Sequence, residues 1–131
     1  MIKKFGDTNQ QRVAVIIDDE VDTCMLLGMF LKRYGIEVHI ANNLNEGTRL
    51  SKRIQPTLIF LDNNLPDGLG IEHIQALHNI SEDTQIVMIS AMSNLYQDAI
   101  EQGAAMFVDK PLTSAKIKGV LDNLAIQHYK S

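Results

Sequence analysis

A single cysteine, Cys24, among 131 residues leaves no partner for an internal disulfide, so nothing ties the chain to an oxidising compartment. A surplus of positive charge is also missing: twelve Lys and Arg face sixteen Asp and Glu, for a net charge of −4. Nucleic-acid binding needs a basic face to neutralise phosphates, so direct binding of nucleic acid by this segment is not expected. No apolar run approaches the ~20 residues of a membrane-spanning helix, which argues against a membrane role. The opening Met1-Ile2-Lys3-Lys4-Phe5-Gly6-Asp7 lacks the apolar stretch of a signal peptide, and a cytoplasmic protein is expected. Internal repeats and low-complexity stretches are absent too.

What is present is alternation. Five short apolar runs recur: Val13-Ala14-Val15-Ile16-Ile17, Ile36-Glu37-Val38-His39-Ile40, Leu58-Ile59-Phe60-Leu61, Ile86-Val87-Met88-Ile89 and Met106-Phe107-Val108. Those that are continuously apolar and β-branched suit strands buried on both faces of a parallel sheet; the second alternates more and reads as nearer an edge. Helices are expected between them. Residues 21–33 carry Lys32 and Arg33 in the last turn and stop at Tyr34-Gly35. Residues 44–53 precede Pro56, and 69–79 follow the turn Pro66-Asp67-Gly68. Residues 94–102 start after Ser93 as N-cap and end at Gly103; residues 114–127 align Ile117, Leu121 and Leu124. The size suits one domain, over 12–128, behind a tail of 1–11. The pattern predicts a doubly wound (βα)5 α/β fold, a five-stranded parallel sheet with helices on both faces.

In such sheets ligands bind outside the carboxyl ends of the strands. There the first run ends in Asp18-Asp19-Glu20, the third in Asp62, the fourth in Ser90 and the fifth in Asp109-Lys110-Pro111. Clustered carboxylates repel, by roughly 4 kcal/mol at 4 Å for an effective dielectric of 20, and therefore raise their pKa values or recruit a cation. An all-oxygen site suits Mg²⁺. Beside the metal, a carboxylate can act as a nucleophile on phosphorus while a lysine neutralises the transferring oxygens. Each residue alone has a plain structural reading: Asp18-Asp19 as strand end and helix cap, Asp62 as turn cap, Ser90 as strand end and Lys110-Pro111 as a common dipeptide. Four such features at one sheet edge are hard to assign to coincidence.

Asp18-Asp19, Asp62 with Leu65-Pro66-Asp67-Gly68 behind it, Ser90-Ala91 and Lys110-Pro111 together resemble the receiver domain of bacterial two-component response regulators, a flavodoxin-like fold, from about Arg12 to about Gln127. The resemblance implies that Asp62 is the phosphoacceptor of a phosphorelay and that Asp62 and Asp19 ligate Mg²⁺. It also implies that Asn64 offers the metal its backbone carbonyl and that Asp18 holds metal-bound water. Ser90 and Phe107 would be the switch pair, Lys110 would pair with Asp62 and then with the phosphoryl, and the Lys110-Pro111 bond would be cis. Implied partners are a sensor histidine kinase or histidine phosphotransfer protein and a downstream output domain or protein, with a homodimer left open. The domain would catalyse its own phosphorylation and slow self-dephosphorylation but turn over no external substrate; apolar Met92 suggests a long-lived phosphoryl. A phosphatase with an Asp nucleophile is the competing class, but Asp18-Asp19-Glu20-Val21-Asp22 does not fit its motif frame and no cap domain is present. A pure interaction module is opposed by the intact set Asp18, Asp19, Asp62, Ser90 and Lys110.

The four histidines and Cys24 share no metal-ligand spacing and read as structural. On the first helix, Met25 and Met29 are apolar residues beyond those needed to face the sheet. They are either covered by a neighbouring loop or exposed as an adaptable docking patch; in the resembling family the first helix commonly contacts the phosphodonor. Kinase identity, pathway, output and oligomeric state cannot be read from the sequence.

Overall fold

A computed structural model describes residues 12–124. The expected tail, 1–11, and the end of the expected domain, 125–128, lie outside the described residues. Five strands, β1 (Arg12–Ile17), β2 (Ile36–Ala41), β3 (Leu58–Asp62), β4 (Gln85–Ser90) and β5 (Met106–Asp109), form one parallel sheet. Their order is β2-β1-β3-β4-β5, so β2 lies at an edge, as its more alternating sequence implied. The order reverses between β1 and β3, and in a doubly wound sheet the crevice opens there.

The apolar runs become strands because both sheet faces are covered. On one face Ala14, Ile16, Phe60, Val87 and Ile89 pack against Leu27 and Leu31 of α1 (Val21–Arg33) and against Ile117 and Leu121 of α5 (Ser114–Asn123). On the other, Val15, Ile17, Ile59, Leu61, Ile86 and Met88 pack against Leu44 of α2 (Leu44–Ile54), Ile74 and Leu77 of α3 (Ile74–His78) and Ala99 of α4 (Tyr96–Gln102). At roughly 25 cal/mol per Å² of apolar area, this double burial is the main stabilising term.

Two helices are shorter than the sequence pattern predicts. The 69–79 segment opens with a 3₁₀ turn, Gly70–His73, before α3; the 94–102 segment opens with another, Ser93–Leu95, before α4. Ser93 therefore does not cap α4: the residue before that helix is Leu95, and it makes no side-chain cap bond. Gly103 does end α4, at φ 117°, a left-handed conformation that favours glycine. Met25 and Met29 are 66% and 56% exposed, so no loop among the described residues covers them. No helix among the described residues is long and apolar enough to cross a membrane.

After β3 the chain turns through a two-stranded antiparallel hairpin, Asn64–Leu65 with Gly68–Leu69, and then passes directly beneath Asp62. A Cβ at Gly70 would stand 2.1 Å from the Asp62 carbonyl oxygen and 3.0 Å from Leu61 Cγ. Gly119, in contrast, has nothing within 4 Å of its missing Cβ. Opposite stability effects follow. Gly119→Ala should raise the thermal midpoint by about 3–5 °C, because alanine is favoured over glycine in a helix by about 1 kcal/mol. Gly70→Ala should lower stability by about 2–3 kcal/mol through overpacking against backbone that cannot yield. Calorimetric melts of the two variants check both signs.

Candidate phosphoryl-acceptor and metal site

Asp18 follows the last residue of β1, and its side chain turns down into the sheet edge with no exposed surface. The Asp18 N–H donates to the Ala41 carbonyl of β2 at 3.0 Å, which continues the ladder one step past the strand. The Glu20 N–H donates to Asp18 Oδ1 at 2.8 Å, closing a tight turn that swings the Glu20 side chain over the crevice. Asp62, the last residue of β3, is 5% exposed and lies across the switch point from Asp18.

Lys110 reaches in from the end of β5. Its ammonium lies 3.1 Å from Asp18 Oδ2 and 3.2 Å from Asp62 Oδ1, and it donates a hydrogen bond to Glu20 Oε1. Carboxylate oxygens of Asp18, Glu20 and Asp62 all lie within 4.8 Å of one another. The Lys110–Pro111 peptide bond is cis. Ser90, 1% exposed, closes the other side: its Oγ accepts the Met92 N–H at 3.0 Å, and its carbonyl accepts the Lys110 N–H at 3.0 Å. Phe107 is half-buried and meets the Tyr96 ring edge-on at 5.9 Å between centroids.

The electrostatics follow from one ammonium among three carboxylates. Burial, reinforced by the charge of Asp18, pushes the Asp62 carboxyl up to about 6, against the opposing pull of Lys110. Burial raises Asp18 as well, although the Glu20 N–H and Lys110 hold it back. For Lys110 burial works against the charged form, but its bond to Glu20 and the adjacent Asp18 and Asp62 carboxylates prevail and lift its pKa. Burial also raises the Cys24 thiol, to about 11, with the Asp18 charge adding to it. Cys24 Sγ donates to the Asp18 carbonyl at 3.3 Å and is therefore a structural support with little thiolate character.

The structure thus gathers Asp18, Asp62, Lys110 and Ser90 at one sheet edge. Asp19 is exposed, and the third carboxylate of the cluster is Glu20. The difference is local geometry: the turn closed on Asp18 Oδ1 leaves residue 19 at its outer corner and aims residue 20 at Lys110. Asn64 is exposed on the hairpin. Its buried neighbour Asn63 braces the loop instead, accepting the Gly70 N–H at its carbonyl (2.7 Å) and the Ile71 N–H at Oδ1 (3.0 Å).

A second brace escaped the sequence reading. Asp67 accepts the N–H groups of Leu44 and Asn45, at 2.8 and 2.9 Å, while Asn43 accepts that of Glu46 at 2.8 Å. The first three amides of α2, which have no partner within the helix, are thereby satisfied, two of them by the loop that follows Asp62. These two bonds hold the Asp67 carboxyl below the ordinary range.

A divalent cation fits this donor set. All the ligand atoms are carboxylate oxygens, as a hard cation requires, and the buried Asp18 Oδ2, for all its nearness to the ammonium, accepts no hydrogen bond of regular geometry.

The chain matches the family described as response regulator receiver domain over residues 14–122. It is 32% identical to the response regulator protein PilR of Pseudomonas aeruginosa over 107 residues, which cover 80% of this chain and 24% of PilR. It is 27% identical to the chemotaxis protein CheY of Thermotoga maritima, across 85% of this chain and 95% of that protein. A two-component response regulator from Clostridium difficile superposes with a TM-score of 0.81 at 26% identity, covering 88% of this chain and 96% of that one. The chain spans about a quarter of PilR, so it corresponds to one part of that longer protein.

Asp62→Asn should stabilise the cation-free protein. The folded carboxyl binds its proton at about 6 and the unfolded one near 3.8, so at pH 8 both are ionised and the folded state bears the cost. That cost, on the order of 3 kcal/mol, shrinks progressively as pH falls below 6, because the folded state takes up the proton first, and is gone only below about 3.8, where the unfolded carboxyl is protonated too. Melts in EDTA should therefore show Asp62→Asn above wild type at pH 8, with the gap narrowed to about half by pH 5. Millimolar Mg²⁺ should raise the wild-type midpoint, and raise that of Asp62→Asn much less.

Proposed function

The chain belongs to the response regulator receiver domains, and on that footing we propose that it accepts a phosphoryl group onto Asp62 from a phosphohistidine of a sensor kinase or phosphotransfer protein in the cytoplasm. The observation that carries the reading is the convergence of Asp18, Glu20 and Asp62 on the Lys110 ammonium at the carboxyl end of the sheet.

In the proposed reaction an Asp62 carboxylate oxygen attacks phosphorus, the new P–O bond forms as the P–N bond to imidazole breaks, and the departing imidazole keeps the electron pair and takes a proton. Little covalent chemistry falls to the protein, so positioning and charge dominate. Asp62 is held by β3 and by the loop braced at Gly70. Lys110, already 3.2 Å from Asp62, neutralises the oxygens of the incoming group. Mg²⁺, when bound, supplies the remaining positive charge on those oxygens. Asp62, Asp19 and the Asn64 carbonyl would hold it, with Asp18 acting through water; Glu20 occupies the third place in the cluster seen here. The donor protein approaches beside Val21, 69% exposed, where Glu20, Leu26, Ala91 and Pro111 border an open groove.

An aspartyl phosphate adds about −1.5 to −2 charges to the pocket. Ser90 can then release the Met92 N–H and donate its own hydroxyl to the phosphoryl. The same strand ends carry β5, so the proposed response is a repacking of α4, β5 and α5 that turns Phe107 inward from Tyr96. Moving a population from 1:99 to 99:1 takes about 5.5 kcal/mol of differential stabilisation, within reach of several charge-assisted bonds. The domain turns over no external substrate; it passes its state to an output domain or partner protein, or to a second copy of itself.

Intact-mass measurement after incubation with acetyl phosphate and Mg²⁺ should show one added phosphoryl group, absent in EDTA and in Asp62→Asn. Lys110→Ala should slow labelling at least tenfold, and the label should persist because Met92 positions no attacking water. Labelling that survives Asp62→Asn, or steady turnover of p-nitrophenyl phosphate, would overturn the assignment.

A further inference from the structure

Positive charge is unevenly spread over the described residues. Of the nine lysines and arginines between residues 12 and 124, five (Lys32, Arg33, Arg49, Lys52 and Arg53) border the outer edge of β2. None of the five is in an ion pair with a described residue. The acids nearby are few: Glu37 pairs with His39, and Glu46 accepts the Asn42 N–H. In a chain of net charge −4, this edge is a positive pole.

The strand there is open. β2 pairs with β1 on one side, and no described strand lies on the other. Proteins usually blunt such edges with proline, a bulge or inward-pointing charge. β2 contains no proline, its register with β1 runs unbroken from Ile36 to Ala41, and Ile40 is 45% exposed.

Two grooves of different chemistry flank this edge. On the α1 side Met25, Gly28, Met29, Val38 and Ile40 form a mainly apolar trough that Lys32 and Arg33 also border, kept open by Gly28, whose missing Cβ would stand 3.8 Å from Val38 Cγ1. On the α2 side the groove is lined by Arg49, Lys52 and Arg53 around Leu50. A strand laid along β2 would send successive side chains to opposite faces. Every second residue would then meet the methionine-lined trough with Lys32 and Arg33 at its border, and the residues between would meet the Arg49, Lys52 and Arg53 side chains.

We propose that the outer edge of β2 is a docking site for an extended segment of a partner protein in which carboxylates alternate with apolar side chains, added to the sheet as a sixth strand. Backbone hydrogen bonds supply affinity in this mode, and the alternating pockets supply specificity. A nucleic acid fits less well, since its phosphates would leave both the methionine trough and the strand edge unused. The site is remote from Asp62 in its chemistry, and it stands or falls separately from phosphorylation.

The test pans a phage-displayed library of random peptides on the intact chain, then titrates the synthesised winners into isotope-labelled protein. Expected winners alternate Asp or Glu with apolar residues, shift the amides of residues 37–40, and bind more weakly as salt rises. Arg49→Glu/Lys52→Glu/Arg53→Glu should weaken binding about tenfold or more, as should Ile40→Lys, which leaves α2 untouched; Asp62→Asn should bind like wild type. Winners without that alternation, shifts centred on another face, or affinity unchanged in both edge variants would overturn the proposal. So would a short DNA duplex that binds this edge more tightly than the peptides do.

Discussion

The Lys110 ammonium held between Asp18, Glu20 and Asp62 is the contact on which the rest of the site depends. These four side chains come from three separate strand ends, so the pocket exists only when the sheet is assembled in its β2-β1-β3-β4-β5 order. An isolated group of three carboxylates would disperse or protonate. Here the turn on Asp18 and the end of β3 fix two of them, and a single ammonium offsets part of their repulsion. The pocket keeps a negative excess by construction, and the Asp18 charge adds to the larger effect of burial in raising the Asp62 carboxyl. A site that must accept an anionic phosphoryl group while already negative has to draw on a cation from solution, and its all-oxygen donor set selects a hard one.

Rigidity around that pocket is unevenly distributed, and the pattern is informative. The loop after Asp62 is tied down three ways: Gly70 packs against the Asp62 carbonyl, Asn63 binds two downstream amides, and Asp67 clamps the start of α2. On the opposite flank the ties are lighter. The Ser90 hydroxyl is held by one amide, α4 is short and follows a 3₁₀ turn, and Phe107 is only half-buried. The proposed nucleophile, Asp62, therefore sits on a braced support, while the elements beside Ser90 have room for a second arrangement. That asymmetry is what a switch requires, because the chemistry needs a fixed geometry and the response needs a soft one.

The sequence carried much of this in readable form. Strands buried on both faces must be continuously apolar, so Val13–Ile17, Leu58–Leu61 and Ile86–Ile89 announce themselves, and a polar residue that ends such a run falls at the sheet edge. Asp18, Asp62, Ser90 and Lys110 were legible for that reason. Glu20 was not, because which of three adjacent acids faces inward is decided by one turn of the backbone. The Asp67 clamp was invisible for a different reason: its partners lie more than twenty residues earlier in the chain and are ordinary backbone amides. The starts of α3 and α4 were misjudged because a 3₁₀ turn and the first turn of an α-helix share nearly the same apolar spacing. The character of the β2 edge, finally, depends on two helices converging from opposite faces, which no local pattern contains.

Charge placement links these features into one molecule. The carboxyl ends of β1 and β3 form a negative pole around Asp18 and Asp62, and the flank of β2 forms a positive one around Arg49, Lys52 and Arg53. With a Debye length of about 8 Å at physiological ionic strength, charges on separate faces are largely screened from each other by solvent. In the proposed reading phosphorylation would therefore act through the strand ends that carry Ser90 and Lys110, with little direct effect on the distant cations. The β2 side of the sheet is also the more heavily braced, through β1 and the Asp67 contact to α2, and so the least disposed to move. A surface that is rigid and electrostatically insulated from the phosphoryl suits constant attachment, whereas the α4–β5–α5 side suits a contact that changes with state.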